Sequence, residues 1–316
     1  MGPRELGLPM PVASPEAGQL PGEVTIWEVG ARDGLQNEKE IVPLEVKLEF
    51  LRRLADAGLV VLEATSFVHP KWVPQLADAA ELLDGLDQAP GAKYPVLVPN
   101  ERGLDRALEA KVRDIAIFAA ASETFAQRNL NSGLDEQFAM FEPVVTRAVG
   151  EGIAVRGYLS MCFGDPWEGP VAIEQVVAAG KRLLDMGCHQ LSLGDTIGVA
   201  TPGHVQSLLR AFVAAGVGVD RLAVHFHDTY GQALSNTLTA LRQGVSTVDS
   251  SAGGLGGCPY AKSATGNLAT EDLIWMLEGL GIQHGVDLGK LVETSAWMAE
   301  QLGRPSPSRV VKALGS

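Results

Sequence analysis

The sequence predicts an α/β protein of the (β/α)8 TIM-barrel class with an additional C-terminal helical segment. Three observations point there. From Val24 onward, short strand-like runs alternate with longer helix-like ones eight times. Several of the short runs are apolar almost throughout, as parallel strands covered by helices are. Residues able to do chemistry fall just after these runs, on what would be one rim. A doubly wound open sheet is the structural alternative, but it does not account for a count of eight.

The strand candidates are residues 24–29, 60–65, 94–98, 114–119, 154–159, 190–193, 222–226 and 246–250. The first helical segment carries Val46, Phe50, Leu51, Leu54 and Ala57 along one stripe, with Pro43 suited to its first turn and Gly58 to its end. The fifth repeats the pattern with Ile173, Val176, Val177, Leu183 and Leu184, and the seventh has Leu234, Thr237, Leu238 and Leu241 before Gly244. A further helix is expected over about 288–302, then a polar tail over 304–316 containing Pro305 and Pro307. Residues 1–22 hold five prolines and no apolar run, and read as a mobile tail rather than a secretory or mitochondrial leader. No linker divides 23–303, which is therefore expected to be one catalytic domain.

The 316 residues are 46% hydrophobic and 20% charged, as in a soluble protein with a sizeable core. A formal net charge of −13 argues against a nucleic-acid partner. No apolar run approaches the ~18 residues that span a bilayer, so no membrane role is expected. The three cysteines, Cys162, Cys188 and Cys258, show no CxxC spacing, which points to a reduced, cytoplasmic setting.

The chemistry gathers at the strand ends. The first strand runs into Arg32 and Asp33, with Gln36 following; the second ends at Glu63; the sixth carries Ser192 and Asp195. The seventh carries His225 and His227, which share a face roughly 6.6 Å apart along an extended chain. The glycine-rich loop after the eighth delivers Cys258 and then Asn267. Asp33, the two imidazoles and the Asn267 amide oxygen make a mixed N/O set suited to six-coordinate Mg²⁺ or Mn²⁺ with two open positions. Zinc, which favours four-coordinate sites, suits this set less well. A substrate with adjacent hydroxyl and carbonyl oxygens fits those positions.

Each residue also has a purely structural reading. Asp33 before Gly34 can form a turn; Glu63 can orient backbone or water; Ser192 and Asp195 can hold the shape of their loop. Asn267 can cap the eighth helix, and its oxygen cannot easily cap and coordinate at once. Cys162 and Cys188 read as packing residues. Cys258, between Gly257 and Pro259, has little to pack against and sits where a mobile loop can close over a mouth.

Together these stretches resemble the 3-hydroxy-3-methylglutaryl-CoA lyases, members of the DRE-TIM metallolyase superfamily. The resemblance covers about 24–303. It is carried by Glu28-Val-Gly-Ala-Arg-Asp-Gly-Leu-Gln-Asn-Glu38, Thr65-Ser-Phe-Val-His-Pro-Lys-Trp-Val-Pro-Gln75, Ser192-Leu-Gly-Asp-Thr-Ile-Gly198, His225-Phe-His-Asp-Thr-Tyr-Gly231 and Gly254-Leu-Gly-Gly-Cys-Pro-Tyr-Ala261. The last separates the lyases from isopropylmalate and homocitrate synthases, which are similar in barrel and His-x-His but lack this cysteine.

The resemblance implies retro-Claisen cleavage of (S)-3-hydroxy-3-methylglutaryl-CoA to acetyl-CoA and acetoacetate. It implies Mg²⁺ or Mn²⁺ bound by Asp33, His225, His227 and Asn267, enolate stabilisation by Arg32, and an active-site role for Cys258. Glu63 would act near the metal. Arg32, Gln36, Ser192 and Asp195 are the candidate substrate contacts, and Asp33, His225 and Cys258 the candidate bases. An acyl-CoA substrate and a homodimer are implied likewise. The chain departs from the family at Ala31 (usually proline), at Asp165-Pro166-Trp167 (usually cysteine-proline-tyrosine) and at His69 (usually serine); the last two lie on the reactive side. A Claisen-type synthase and a non-catalytic metal and acyl-CoA binder are the competing functions.

Overall fold

Among the described residues, nine strands form one all-parallel sheet, with helices on its outer side. The structure, a computed structural model, describes residues 20–257 and 266–315. Cys258 and most of the expected N-terminal tail lie outside the described residues.

The strands are β1 (Thr25–Glu28), β2 (Val61–Leu62), β3 (Thr65–Ser66), β4 (Val96–Leu97), β5 (Asp114–Ala120), β6 (Ala154–Ser160), β7 (Gln190–Asp195), β8 (Leu222–Phe226) and β9 (Thr247–Ser250). Their order is β2-β1-β9-β8-β7-β6-β5-β4-β3. The two ends of that order are neighbours in the chain, separated by Glu63 and Ala64 alone, so the sheet curls round on itself.

The run 60–65, expected as one strand, is two short ladders because its backbone serves two neighbours in turn. Residues 61–62 pair with β1 and residues 65–66 with β4. At the break, Glu63 N donates to Glu28 O on one side, while Ala64 N donates to Pro95 O on the other. The remaining strands fall within a residue or two of expectation, and the third expected run, 94–98, shortens to Val96–Leu97 (β4) next to Pro95. Proline has no N–H to give the ladder.

The helices are α1 (Leu44–Asp56), α2 (Ala79–Asp84), α3 (Glu101–Glu109), α4 (Glu123–Leu130), α5 (Leu134–Gly150), α6 (Ile173–Met186), α7 (Pro202–Ala214), α8 (Ala233–Arg242), α9 (Thr270–Leu280), α10 (Leu288–Gln301) and α11 (Arg309–Leu314). Periodicity decides which face turns inward. Phe50, Leu51 and Leu54 of α1 are fully buried, as are Val176 and Leu183 of α6 and Leu208 and Phe212 of α7. They join one apolar cluster running between sheet and helices. Each such side chain contributes roughly 1.5–3 kcal/mol when buried. Gly58 ends α1 at φ +98°, a backbone conformation that a side chain would strain.

The C-terminal helix expected near 288–302 is α10, capped by Asp287 accepting from Lys290 N at 3.1 Å. The segment expected as a polar tail carries α11 and folds back. Ser306 and Ser308 are buried, and Asp272 of α9 accepts from Ser308 Oγ (2.8 Å) and Val310 N (2.9 Å). Buried serines paired to a carboxylate explain how so polar a segment packs. Among the described residues, no helix is long and apolar enough to cross a membrane.

Candidate metal and active site

The carboxyl ends of the strands bring the chemistry together. After β1 the chain enters a π-helical turn, Gly30–Gly34, closed by Gly34 N donating to Val29 O at 3.0 Å. Arg32 and Asp33 sit in this turn as adjacent side chains. After β9, the turn Ala252–Gly254 begins the glycine-rich loop. The returning segment then pairs with the end of β8: Leu268 N donates to Phe226 O (2.9 Å), and Asp228 N to Gly266 O (3.1 Å). That pairing sets Asn267 opposite His227.

Asp33, His225 and His227 each offer a ligand atom, all within 4.8 Å of one another. Ligands ~2.1 Å from a central ion lie between roughly 3 and 4.2 Å apart across an octahedron, so small movements close the set. His225 Nε2 is 3.9 Å from Asp33 Oδ2. Asn267 Nδ2 donates to Asp33 Oδ2 (2.8 Å) and Leu255 O (3.0 Å), while its buried Oδ1 has no hydrogen-bond partner among the described residues. An orphaned amide oxygen beside a carboxylate and two imidazoles is what a divalent cation would satisfy, and the residues fit one. The competing helix-cap role is not taken up: α9 starts after Ala269, and no side chain caps it.

Arg32 is buried and faces two carboxylates. Its Nε donates to Glu63 Oε1 at 2.5 Å and its Nη1 to Asp33 Oδ1 at 2.7 Å. Burial alone would lower the guanidinium pKa, but Glu63 and Asp33 together raise it, so the charge is permanent. Burial likewise pushes Asp33 up, and Arg32, the two histidines and Asn267 overcome it, holding this carboxyl at about 2. Glu63, fully buried in the break between β2 and β3, also accepts from Trp27 Nε1 at 2.9 Å and from the Tyr158 hydroxyl.

Below the rim lies a polar lattice whose members, Trp27, Arg156, Tyr158 and Asp249, were not singled out from the sequence. Arg156 is fully buried and grips Asp249 through Nη2 (2.6 Å to Oδ1) and Nη1 (3.1 Å to Oδ2). Its Nη1 also donates to the Tyr158 hydroxyl at 3.2 Å, and its guanidinium lies 4.0 Å over the Trp27 ring. Asp249 in turn meets His225 Nδ1 at 3.2 Å. Burial drives the His225 pKa down, but Asp249 and then Asp33 reverse this to a net rise. The available signal was a lone charge inside an apolar parallel strand, Arg156 in one and Asp249 in another, since such charges need partners in the interior.

A second lattice ties the turn at Arg32 to the glycine-rich loop. Glu28 Oε1 accepts from Gly30 N (2.7 Å) and Ala252 N (2.8 Å), and Oε2 from Thr270 Oγ1 (2.6 Å). On the other side of the same turn, Glu271 accepts from Gly253 N through both oxygens, at 2.9 and 3.0 Å. Burial pushes Glu28 up to about 7 and Glu271 up to about 8.

Not every expected contact points into the site. Both Asp195 oxygens accept from its own loop, Val199 N at 2.9 Å and Ala200 N at 3.1 Å, so this carboxylate shapes the loop. Ser192 Oγ is turned to Asp249 Oδ2 at 2.7 Å. Gln36 is half-buried just beyond the Arg32 turn. Of the family departures, Asp165 is buried and locks its loop, accepting from Ser122 Oγ (2.6 Å), Trp167 N (2.7 Å) and Glu168 N (2.9 Å).

Comparison with known proteins gives the family. The HMGL-like family model matches residues 23–298. The hydroxymethylglutaryl-CoA lyase of rat mitochondria is 54% identical over 296 residues, covering 94% of this chain and 91% of its own. The solved hydroxymethylglutaryl-CoA lyase of Pseudomonas aeruginosa superposes with a TM-score of 0.91 at 48% identity, over 94% of this chain and 98% of its own. An HMG-CoA lyase of Acinetobacter baumannii, solved with coenzyme A and 3-methylmalate, superposes with a TM-score of 0.88 at 35% identity, covering 92% and 95%. With a family model spanning nearly all its length and relatives above half identity, the chain belongs to the HMGL-like family.

Proposed function

We propose that this chain is a divalent-metal-dependent carbon–carbon lyase, cleaving (S)-3-hydroxy-3-methylglutaryl-CoA to acetyl-CoA and acetoacetate. The observation that carries it is the meeting of Asp33, His225 and His227, with the orphaned Asn267 oxygen, beside the buried Arg32. Asp33, His225, His227 and Asn267 would hold Mg²⁺ or Mn²⁺, an assignment supported by the oxygen donors in the set. When bound, the ion would supply Lewis acidity to the C3 hydroxyl oxygen.

The chain's own residues supply the rest. A base drawn from Asp33, His225 and Cys258 takes the C3 hydroxyl proton. The C2–C3 bond breaks as C3 becomes the ketone of acetoacetate, and its electron pair passes to the thioester as an enolate. Arg32, fixed by Glu63 and Asp33, presents permanent positive charge to that oxygen. Cys258 is assigned to proton transfer at the enolate carbon, which completes acetyl-CoA. Gln36 is the remaining candidate for contact with the acyl-CoA. Ser192 and Asp195 are assigned to support instead.

The same reading takes the curled sheet as a closed (β/α)8 barrel in which β2 and β3 are two halves of the second strand. Hydrogen bonds from Glu63 and Ala64 to opposite neighbours support this. The catalytic unit is taken as 23–303, with 304–315 packed onto it. A homodimer follows from the family resemblance. The cytoplasm is the compartment favoured by two free buried thiols, Cys162 and Cys188.

The test is acetoacetate release from purified protein without a second substrate, with EDTA, Mg²⁺ or Mn²⁺. Cleavage is expected to stop with EDTA and return with the ion. His227→Ala is expected to remain folded and to lose metal-dependent turnover. An EDTA-insensitive variant, or cleavage that needs a second substrate, overturns the reading.

A further inference from the structure

We propose that Asp249 is a positioning residue that fixes the tautomer and ring orientation of His225, so that Nε2 is the nitrogen offered to the metal. The inference rests on reading His225 as a ligand and goes beyond it. His225 and Asp249 are paired residues on adjacent strands β8 and β9. The register therefore holds carboxylate and imidazole side by side in the sheet interior, with Asp249 Oδ2 3.2 Å from His225 Nδ1.

Asp249 cannot turn away. Its two oxygens receive the Arg156 fork at 2.6 and 3.1 Å and the Ser192 hydroxyl at 2.7 Å, and its side chain is fully buried. A carboxyl whose two oxygens already accept from an arginine fork and a serine hydroxyl is placed as an acceptor, so the proton in this contact belongs to His225 Nδ1. The lone pair is then on Nε2, the nitrogen that faces Asp33 Oδ2 at 3.9 Å. This is the carboxylate–histidine pairing by which proteins orient ligand imidazoles.

Arg156 extends the consequence. The guanidinium that holds Asp249 also holds the Tyr158 hydroxyl, which donates to Glu63, the partner of Arg32. The imidazole on the metal side and the cation on the enolate side are thus braced against one buried arginine. Ser192, one of the residues expected to touch substrate, acts through Asp249.

Two measurements on the full chain test this. In Mn²⁺ titrations read by the electron-spin signal of free ion, Asp249→Asn is expected to bind roughly 10–100-fold more weakly than wild type. A folded variant with unchanged affinity overturns the inference and leaves the metal assignment standing. A wild type that binds no Mn²⁺ removes the metal assignment and this inference with it. Because Asp249→Asn leaves Arg156 short of its counter-charge and can fail to fold, the second measurement needs no variant. Nitrogen-15 spectra of the wild-type histidines with Mg²⁺ are expected to show His225 protonated on Nδ1. A proton on Nε2 overturns the proposal.

Discussion

Glu28→Gln isolates the electrostatic cost of tying the Arg32 turn to the glycine-rich loop through a buried carboxylate. Glu28 accepts from Gly30 N, Ala252 N and Thr270 Oγ1, with no cation in the contact. Glutamine preserves the geometry. Its amide oxygen can accept from both backbone N–H groups, and its amide N–H can donate to Thr270, whose hydroxyl then turns to Ser250 Oγ, 2.9 Å away. What changes is titration. Burial raises the Glu28 pKa from 4.5 to about 7 in the folded protein. A raised folded value means the stabilising contribution is complete below pH 4.5 and is lost as pH rises through about 7. At ~1.4 kcal/mol per pH unit, the gap corresponds to roughly 3 kcal/mol in full and roughly 2 kcal/mol between pH 5.5 and 8. Glu271, raised to about 8 partly by Glu28, shifts down when Glu28 becomes neutral, which works in the same direction. Urea unfolding of both proteins across that pH range should show the variant gaining on wild type by about 2 kcal/mol. A stability difference that stays constant with pH would refute the assignment of a buried, proton-binding carboxylate at this joint.

Three further outcomes are expected. Arg32→Met should lower kcat by about 10²–10³, measured by steady-state acetoacetate release, because it removes the charge at the enolate oxygen and also strips Asp33 and Glu63 of their shared cation. Cys258→Ser should lose most turnover while keeping its metal, checked by parallel kinetics and Mn²⁺ binding; near-normal turnover would reduce the thiol to a loop residue. Gly58→Ala should lower thermal stability by at least about 1–3 kcal/mol from backbone strain, since φ is +98° there, with a further loss from the new Cβ meeting Gly285 O; calorimetry would detect it.

The clustering of Asp33, His225 and His227 was legible because strand periodicity and strand-end position bring them to one rim without tertiary detail. His225 and His227 share a face two residues apart, and Asp33 follows its strand directly. Asn267 was ambiguous between cap and ligand, since local sequence cannot show that the segment after the loop pairs back on β8 before α9 begins. The bracing residues were hidden for another reason. Arg156, Tyr158 and Asp249 sit in mid-strand and acquire meaning only from register, which sets Asp249 beside His225. The split of the second strand was equally hidden, because it arises where one backbone changes hydrogen-bonding partners. The polar composition of 304–315 concealed its packing, which depends on Asp272 more than thirty residues earlier.

Asn267 meets Asp33 across 234 residues of sequence, and Thr270 meets Glu28 across 242. During synthesis, therefore, the first strand waits for almost the last before the cation set proposed above is complete. A partly made chain displays Asp33 without Asn267 and the Arg32 turn without Thr270 behind it. On the assignment proposed above, acquisition of the ion would report that the entire circuit of strands has been completed.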